Sequence, residues 1–525
     1  MTRTPALLIA MLTALLTGCG TLPPLEGRKP SSALEDTAGT RLGRALARDV
    51  AAHPAKTGIY VLDEARDAFA ARGLLAEAAD RSLDVQYYIW HGDQTGWLLF
   101  EALWRAAERG VRVRLLLDDN GVGGLDGTLA ALDAHSNIEV RLYNPFVQRR
   151  ARALGYLTDF ERVNRRMHNK SFTADNQATI VGGRNVGDEY YGANMEVGFQ
   201  DLDVLGIGPV VQQVSNEFDL FWNSASAYPA ATVLAPAKPE STAMLREAWD
   251  RVHQNPEAVQ YVEAVRKTPL MVQLAGEKLD FEWTIARVLH DDPAKVLQPM
   301  DRSDLQMLPQ LLKAMGHPKR ELDLVSPYFV PGADGTKSLV ELAQNGVTVR
   351  VLTNSLSATD VSPVHAGYSK YRNELLKGGA VLYELKPGSA VPPPDKDKDE
   401  DRARGLPGSG SRASSAASLH AKTFAVDRER IFVGSYNLDP RSSKLNTEMG
   451  VVIESPALAG MLSKQFDTSI PTRAYLVRRQ SDGRGLEWID VEPTGETRYS
   501  SEPGAGPVKR LWIDFLEVLP IEWLL

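Results

Sequence analysis

The stretch from His168 to Glu196 reads HNKSFTADNQATIVGGRNVGDEYYGANME, and the stretch from His420 to Glu448 reads HAKTFAVDRERIFVGSYNLDPRSSKLNTE. Counted from each histidine, Lys, Asp, Gly, Asn and Glu recur at offsets +2, +7, +14, +17 and +28 in both stretches. The second histidine follows the first by 252 residues. Six shared residues at identical offsets indicate an internal repeat, with one copy in each half of the chain.

Each copy carries residues that suit an anionic centre rich in oxygen. His168 and Lys170 are two residues apart in the strand-like run 167–172, so they are expected on one face of a strand. A nucleophile, an ammonium and an amide donor such as Asn185 together fit a phosphate group. One copy would lack a separate proton donor for the leaving group. Two copies that face each other supply both, with one imidazole attacking phosphorus and the other protonating the departing oxygen.

The pattern His-x-Lys-x4-Asp followed by Gly-Gly/Ser-x-Asn, present twice, resembles the phospholipase D superfamily. The runs LDVQYYIW (83–90), RVRLLLDDN (112–120) and NRRMHNK (164–170) resemble the bacterial cardiolipin synthases, type C most closely. The resemblance spans roughly residues 60 to 470. It implies a catalytic group and a supporting group of residues. The catalytic group is His168, Lys170, Asp175, His420, Lys422 and Asp427, and the supporting group is Asn185, Glu196, Asn437 and Glu448. Asp175 and Asp427 stand at strand ends before turns, so a structural role is open for them beside the catalytic one.

Apolar strands and amphipathic helices alternate in the same order in both halves. The first half is predicted as strand 83–90, helix 97–109, strand 111–118, helix 125–135 and strand 138–143. The second is predicted as strand 321–329, helix 339–344, strand 347–353, helix 365–376 and strand 381–385. Near-continuous Val, Leu and Ile strands between helices indicate sheets covered on both faces. We therefore expect an α/β fold of two phospholipase D-like halves, packed together with the active site at their junction.

The domain boundaries follow from shifts in composition. We predict a signal peptide, a tether, two α/β halves joined by a mostly helical connection, and a C-terminal part with strands and an apolar helix. The predicted ranges are 1–18, 19–56, 57–224, 225–315, 316–470 and 471–525, in that order. Residues 387–418, rich in Pro, Lys, Asp, Gly and Ser, are predicted to be a disordered insertion, either an exposed loop or a lid.

Composition narrows the class of protein. A chain of 525 residues with 43% hydrophobic content can form more than one domain with a sizeable core. The net charge of −8 argues against a broad nucleic-acid surface, so no nucleic-acid partner is expected. No cluster of His, Asp or Glu has evident metal spacing, and we expect neither a metal nor another cofactor.

The N-terminus indicates the compartment. A short basic start precedes the apolar run 6–16, which is too short to span a membrane as a mature helix. The run ends in Leu-Thr-Gly-Cys, which resembles a bacterial lipoprotein signal cut before Cys19, the only cysteine of the chain. The alternative is a plain secretory or anchoring segment with a chance cysteine. By the same resemblance, Gly20 favours the outer membrane, and we expect a lipid-anchored, periplasm-facing protein of the bacterial envelope.

Two features leave alternatives open. Glu196 and Glu448 are interpreted as carboxylates that orient the histidines, each serving either its own or the opposite one. The segment 508–525 is rich in Leu, Trp and Phe. It is predicted to be a terminal helix that either docks on the core or rests on a bilayer.

Together these patterns predict a phosphatidyltransferase resembling cardiolipin synthase, which works through a phosphohistidine intermediate. Its expected partners are a membrane surface and phospholipid substrates, phosphatidylglycerol first and phosphatidylethanolamine second. His168 is the expected nucleophile and His420 the acid and base. A phospholipase that uses water as acceptor would need the same residues. A non-catalytic envelope lipoprotein that binds lipid would need neither His/Lys pair, and a nuclease is disfavoured by the acidity and the lipidation signal.

Overall fold

The computed structural model describes residues 21–194, 198–276, 279–388, 417–492 and 495–525. The expected signal segment 1–18, Cys19, Glu196 and residues 389–416 of the insertion lie outside these described residues. Two large mixed β-sheets, each flanked by helices, form most of the described part. The predicted α/β class with two packed halves is confirmed.

The strands are numbered in chain order. They are β1 Thr57–Leu62, β2 Ser82–Ile89, β3 Arg112–Gly121, β4 Ile138–Tyr143, β5 Ser171–Ala174, β6 Ala178–Gly182, β7 Gly198–Gln200, β8 Asp203–Ile207, β9 Ala227–Pro229, β10 Glu282–Thr284, β11 Ala286–His290, β12 Glu321–Val325, β13 Thr348–Asn354, β14 Val381–Leu385, β15 Ala417–Leu419, β16 Thr423–Val426, β17 Arg430–Gly434, β18 Met449–Ile453, β19 Ala474–Arg479, β20 Leu486–Glu492 and β21 Gly495–Tyr499.

The helices are numbered in the same way. They are α1 Arg41–Ala52, α2 Ala65–Ala78, α3 Gln94–Glu108, α4 Asp126–Asp133, α5 Gly155–Thr158, α6 Phe160–Val163, α7 Asp188–Tyr191, α8 Pro209–Trp222, α9 Ala230–Val233, α10 Ser241–Gln254, α11 Pro256–Val265, α12 Pro269–Ala275, α13 Met307–Met315, α14 Gly332–Gln344, α15 Ser362–Gly378, α16 Pro440–Lys444, α17 Pro456–Asp467, α18 Ile470–Arg473 and α19 Pro507–Val518. Short 3-10 turns cover Arg149–Leu154, Pro293–Leu297, Ser303–Leu305 and Glu522–Leu524.

The two sheets repeat one topology. The first has the order β10-β1-β8-β6-β5-β2-β3-β4-β9, and the second has the order β11-β18-β17-β16-β12-β13-β14-β19-β20-β21. The run β8-β6-β5-β2-β3-β4 therefore corresponds to β18-β17-β16-β12-β13-β14. Within each run the last three strands are parallel, and the strand that follows the His-x-Lys segment pairs antiparallel with the first of them.

The repeat extends to buried ion pairs. On β3 of the first half, Nε of Arg114 lies 2.6 Å from Oδ1 of Asp84 on β2. On β13 of the second half, Nε of Arg350 lies 2.6 Å from Oδ1 of Asp323 on β12. Both arginines are nearly inaccessible to solvent, so each needs its carboxylate partner inside the sheet–helix layer.

The connection between the halves departs from the predicted helical character. It contains helices α9 to α13, but it also contributes β9 and β10 to the first sheet and β11 to the second. Short strands with few flanking turn signals carry little periodicity, so β10 and β11 were not predicted from sequence.

The predicted tether is docked from about residue 28 onward. Nη1 and Nη2 of Arg28 donate to the carbonyl oxygens of Ala227 at 2.9 Å and Asn223 at 2.7 Å. The hydroxyl of Ser31 accepts from Nε1 of Trp222 at 2.9 Å. These contacts fasten residues before α1 to the first half.

The two halves meet over a shared apolar layer. Val181 and Val204 of the first sheet belong to the same buried cluster as Val433 and Val451 of the second. Val181 and Val433 lie on β6 and β17 inside the two repeat stretches, and Val204 and Val451 lie on β8 and β18, which follow them. Burial of this layer holds the two His-x-Lys segments against each other.

Candidate active site

Each histidine segment is held by the opposite half. His168 precedes β5, and its backbone N–H donates to the carbonyl oxygen of Thr447 at 2.8 Å. His420 follows β15, and its backbone N–H donates to the carbonyl oxygen of Gln200 at 2.7 Å. The predicted strand from residue 167 begins instead at Ser171, because the residues before it pair across the junction rather than within one sheet.

The carboxylates also cross the junction. Nδ1 of His168 lies 2.8 Å from Oε2 of Glu448, which belongs to the second half. Nδ1 of His420 lies 2.5 Å from Oδ2 of Asp201, which belongs to the first half. Each carboxylate therefore serves the histidine of the other half. A carboxylate that accepts from Nδ1–H leaves Nε2 unprotonated and free to face a substrate.

The partner of His420 is Asp201, whereas equal spacing had pointed to Glu196, which lies outside the described residues. The strand register explains the offset. Val204 pairs with Val181 on β6, and Val451 pairs with Val433 on β17. Val181 and Val433 hold the same position in the two repeats, so Val204 corresponds to Val451, and Asp201, three residues before Val204, corresponds to Glu448. The first half therefore has five more residues than the second between the histidine and this acid. Asp201 stands two residues before β8, whose first residue is a second acid, Asp203, and this acidic pair at the start of a short apolar strand is the signal that could have pointed to Asp201.

Each lysine contacts the backbone of the histidine two residues before it. Nζ of Lys170 donates to the carbonyl oxygen of His168 at 2.6 Å, and Nζ of Lys422 donates to that of His420. Burial lowers the pKa of Lys170 to about 7, and it lowers the pKa of Lys422 to about 8. An anionic ligand beside either lysine would raise its pKa again and stabilise the charged ammonium.

Both histidines have a lowered pKa, but different sets of charged groups act on them. Burial, with the charges of Lys170 and Lys422, lowers the pKa of His168 well below its usual value. Burial and Lys422 also lower the pKa of His420, while Asp201 opposes them. Burial raises the pKa of Glu448 to about 6. Burial acts to raise the pKa of Asp201 too, but His420 and Lys422 bring it below its usual value.

The carboxylates are held differently in the two halves. Hydroxyls of Ser435 and Ser442 donate to Glu448 at 2.5 and 2.8 Å. In the first half Gly183 replaces Ser435, and a Cβ there would lie 2.1 Å from Oδ1 of Asp201. Gly183 therefore leaves room for Asp201, the shorter acid, whereas Ser435 donates a hydrogen bond to Glu448, the longer acid. Ser435 stands in the repeated Gly-Gly/Ser-x-Asn pattern, but its contact with Glu448 was not predicted, and Ser442 was not identified from the sequence.

The two asparagines of the repeat are not equivalent. Oδ1 of Asn185 accepts from the backbone N–H of Ile89 at 3.2 Å, and Nδ2 donates to the hydroxyl of Tyr190 at 3.1 Å. By contrast, the buried Oδ1 of Asn437 has no hydrogen-bond partner among the described residues. A terminal amide can exchange its oxygen and nitrogen by rotation, so Asn437 has a polar group available to a ligand.

Aromatic rings cover both imidazoles. The ring of Tyr88 lies edge-on to His168 with centroids 5.0 Å apart, and the ring of Tyr190 lies edge-on to His420 at 5.2 Å. These rings limit water at the histidines and keep their orientation fixed.

Asp175 and Asp427 lie away from this cleft, beyond the far ends of β5 and β16. Asp175 accepts from the backbone N–H groups of Asp80 at 2.9 Å, Arg81 at 2.7 Å and Ser82 at 2.9 Å. Asp427 accepts from residues 319–321 in the same way. Of the two roles left open for them, these contacts favour the structural one, because both carboxylates hold the turn that leads into the first parallel strand of their sheet.

We expect Asp175→Ala to lower the free energy of unfolding by about 2–4 kcal/mol, because three inward-facing N–H groups lose their acceptor. Urea unfolding measures the change, and transfer activity per folded molecule should stay near that of the unaltered protein. Asp482→Ala is the control, since Asp482 accepts from one exposed N–H group, that of Arg484. A folded but inactive Asp175→Ala protein would return this residue to the catalytic group.

Comparisons with known proteins agree with this geometry. The family model described as "Cardiolipin synthase, PLD-like domain" matches residues 74–222 and 311–470. Cardiolipin synthase C of Escherichia coli (strain K12) is 45% identical over 488 residues, which cover 92% of this chain and 100% of that protein. The major cardiolipin synthase of Bacillus subtilis (strain 168) is 26% identical over 439 residues, which cover 83% of this chain and 73% of that protein.

A solved structure shares the fold. The phosphatidylserine synthase of Haemophilus influenzae Rd KW20 superposes with a TM-score of 0.56 at 13% identity, covering 92% of this chain and 100% of that one. The identity is too low to carry more than the fold. The repeated sheets, the two His/Lys pairs at their junction and the match of both halves to one family model lead to one conclusion: the chain belongs to the cardiolipin synthase-like family of the phospholipase D superfamily.

Proposed function

We propose that the protein transfers a phosphatidyl group between phospholipids, as a cardiolipin synthase does, through a phosphohistidine. The observation that carries the proposal is the pair of crossed contacts, His168 with Glu448 and His420 with Asp201, above two buried lysines. One histidine can attack while the other moves the proton. Membership of the family supports the transferase activity.

In the first step, Nε2 of His168 attacks phosphorus of a phosphatidylglycerol. The P–N bond forms, the P–O bond to the head-group glycerol breaks, and His420 gives that oxygen its proton. In the second step, a hydroxyl of another phosphatidylglycerol passes its proton to His420 and attacks phosphorus, and the P–N bond breaks. The products are cardiolipin and glycerol, and both histidines return to their starting state.

The electrostatics favour these roles. His168 has its pKa lowered well below the usual value, so its imidazole is neutral and nucleophilic near pH 7. Burial and Lys422 lower the pKa of His420, and the ionised carboxylate of Asp201 opposes this shift and so stabilises the imidazolium that a proton donor needs. In the proposed mechanism Lys170, Lys422 and Asn437 bind the phosphoryl oxygens. Asn185 acts by fixing Ile89 and Tyr190.

The compartment is part of the proposal. We infer a lipid anchor at Cys19 and a periplasm-facing position at the outer membrane from the signal-like run before that residue. Within the described ranges, no helix combines the length and apolar character needed to cross a bilayer. The phospholipid substrates proposed are phosphatidylglycerol and phosphatidylethanolamine.

The products of the purified protein test the proposal. In vesicles that contain labelled phosphatidylglycerol, we expect more cardiolipin than phosphatidic acid, because burial of both histidines limits water at the intermediate. Lipid mass spectrometry measures both products. Phosphatidic acid as the sole product would make the protein a phospholipase. Binding to the vesicles without any turnover of phosphatidylglycerol would favour the non-catalytic lipid-binding alternative.

A further inference from the structure

Helix α19 presents an apolar stripe to solvent. Val508, Leu511, Trp512, Phe515 and Val518 recur at helical spacing and are all strongly exposed. The opposite side of the helix is buried through Ile513 and Leu516. Only one face of α19 is therefore used for docking on the protein, and the outer face has no partner in the described part of the chain.

A second exposed apolar group comes from the first half. Leu154, Leu157 and Phe160 lie on the short helical segment before His168, and Leu157 is 81% exposed. The ring of Phe160 meets the ring of Trp523 edge-on with centroids 6.5 Å apart. The first-half group thus meets the segment that directly follows α19. We define the apolar rim as the exposed stripe of α19 together with Trp523, Leu154, Leu157 and Phe160.

The rim is connected to the His168 side of the active site. Tyr88, which covers His168, accepts a hydrogen bond from Nδ2 of Asn120 at 3.2 Å. The hydroxyl of Tyr156 donates to Oδ1 of Asn120 at 2.8 Å, and Tyr156 lies between Leu154 and Leu157. One ring contact followed by two hydrogen bonds therefore leads from the catalytic histidine to the first part of the rim.

A second connection runs through Arg441. Its Nη2 donates to the carbonyl oxygen of Leu524 at 2.7 Å and to Oδ1 of Asn164 at 3.0 Å. Asn164 is four residues before His168, and Leu524 follows Trp523 of the rim. Arg441 thereby fixes the C-terminal part of the rim beside the same edge of the active site.

We propose that the apolar rim inserts into the surface of a lipid bilayer and presents the His168 edge of the active site to it. The inference rests on the proposed function, in which both substrates are bilayer lipids whose acyl chains favour the membrane. A second copy of the chain seated on the rim would cover the edge through which those lipids enter. Two exposed tryptophans, Trp512 and Trp523, add rings that suit a membrane interface.

Fluorescence of the full, lipid-anchored chain in vesicles tests the contact. Phosphatidylglycerol vesicles with brominated acyl chains should quench the unaltered protein and quench Trp512→Phe/Trp523→Phe much less, because five of the other seven tryptophans are buried and Trp97 and Trp283 are partly buried. Equal quenching of the two proteins would overturn the proposal.

Activity provides the second readout. Leu511→Asp/Phe515→Asp should lower turnover of vesicle phosphatidylglycerol by about tenfold or more, because apolar insertion is lost. Turnover of a short-chain phosphatidylglycerol dissolved as monomers should be unchanged. Leu312→Asp is the matched control, since Leu312 on α13 is 63% exposed and Leu511 is 68% exposed. An equal loss in both variants, or an equal loss on monomers and vesicles, would overturn the proposal.

Failure of the rim and failure of the proposed function are separable. If the unaltered protein converts neither vesicles nor monomers while bromolipids still quench the tryptophans, the proposed function fails and the bilayer contact stands. If Leu511→Asp/Phe515→Asp instead breaks a dimer seen in light scattering and leaves vesicle turnover intact, the rim is an interface between copies and the bilayer contact is wrong.

Discussion

His168→Ala and His420→Ala are each expected to lower phosphatidyl transfer at least about a thousandfold, because one removes the nucleophile and the other the proton carrier. Both variants should stay folded. Glu448 keeps its hydrogen bonds from Ser435 and Ser442 when His168 is truncated. Cardiolipin formation from labelled phosphatidylglycerol measures the loss, and thermal unfolding checks the fold. Exposed His317 supplies the control, since His317→Ala should retain full activity.

A substrate with an activated leaving group separates the two roles. Phosphatidyl-p-nitrophenol releases a phenolate that needs no proton donor, so His420→Ala should still release one equivalent of nitrophenolate in a burst. His168→Ala should release none, because no phosphohistidine can form. The reverse pattern would exchange the roles of the two histidines. Near-normal transfer by either variant would rule out an active site shared between the halves.

Much of this site follows from local spacing in the sequence. His168, Lys170, His420 and Lys422 were identified because a repeat with constant offsets preserves the strand and turn around each motif. The parallel strands β3 and β13 were predicted because their apolar runs are long and are bounded by a preceding helix end. Residues within one element obey the period of that element, and sequence reports this period directly.

The missed features depend on the junction between the halves. Spacing could not tell which histidine Glu448 serves, because the answer lies in how two sheets pack and not in either motif. The five additional residues before Asp201 shift the acid without shifting the strand register, so constant offsets pointed to Glu196. Asp175 recurs as regularly as His168, yet its repetition reflects a turn that both halves must form.

The crossed carboxylates predict how activity changes with pH. With burial raising the pKa of Glu448 to about 6, this group is ionised above pH 6 and supports His168 there. Lys170 and Lys422, with pKa values near 7 and 8, lose their charge as the pH rises further. The kcat/KM of the free enzyme should therefore be bell-shaped, falling below about pH 6 and again above about pH 7 to 8.

Glu448→Gln should lower kcat/KM by about a hundredfold to a thousandfold, because the amide neither fixes the Nδ1–H tautomer of His168 nor offsets its positive charge during attack. The acid limb should move to lower pH, since the first proton then goes to His168, whose pKa lies well below its usual value. Asp201→Asn is the matched comparison. It should cost a similar factor while keeping the acid limb near pH 6, because Glu448 is intact. An unchanged acid limb in Glu448→Gln would show that Glu448 does not govern His168.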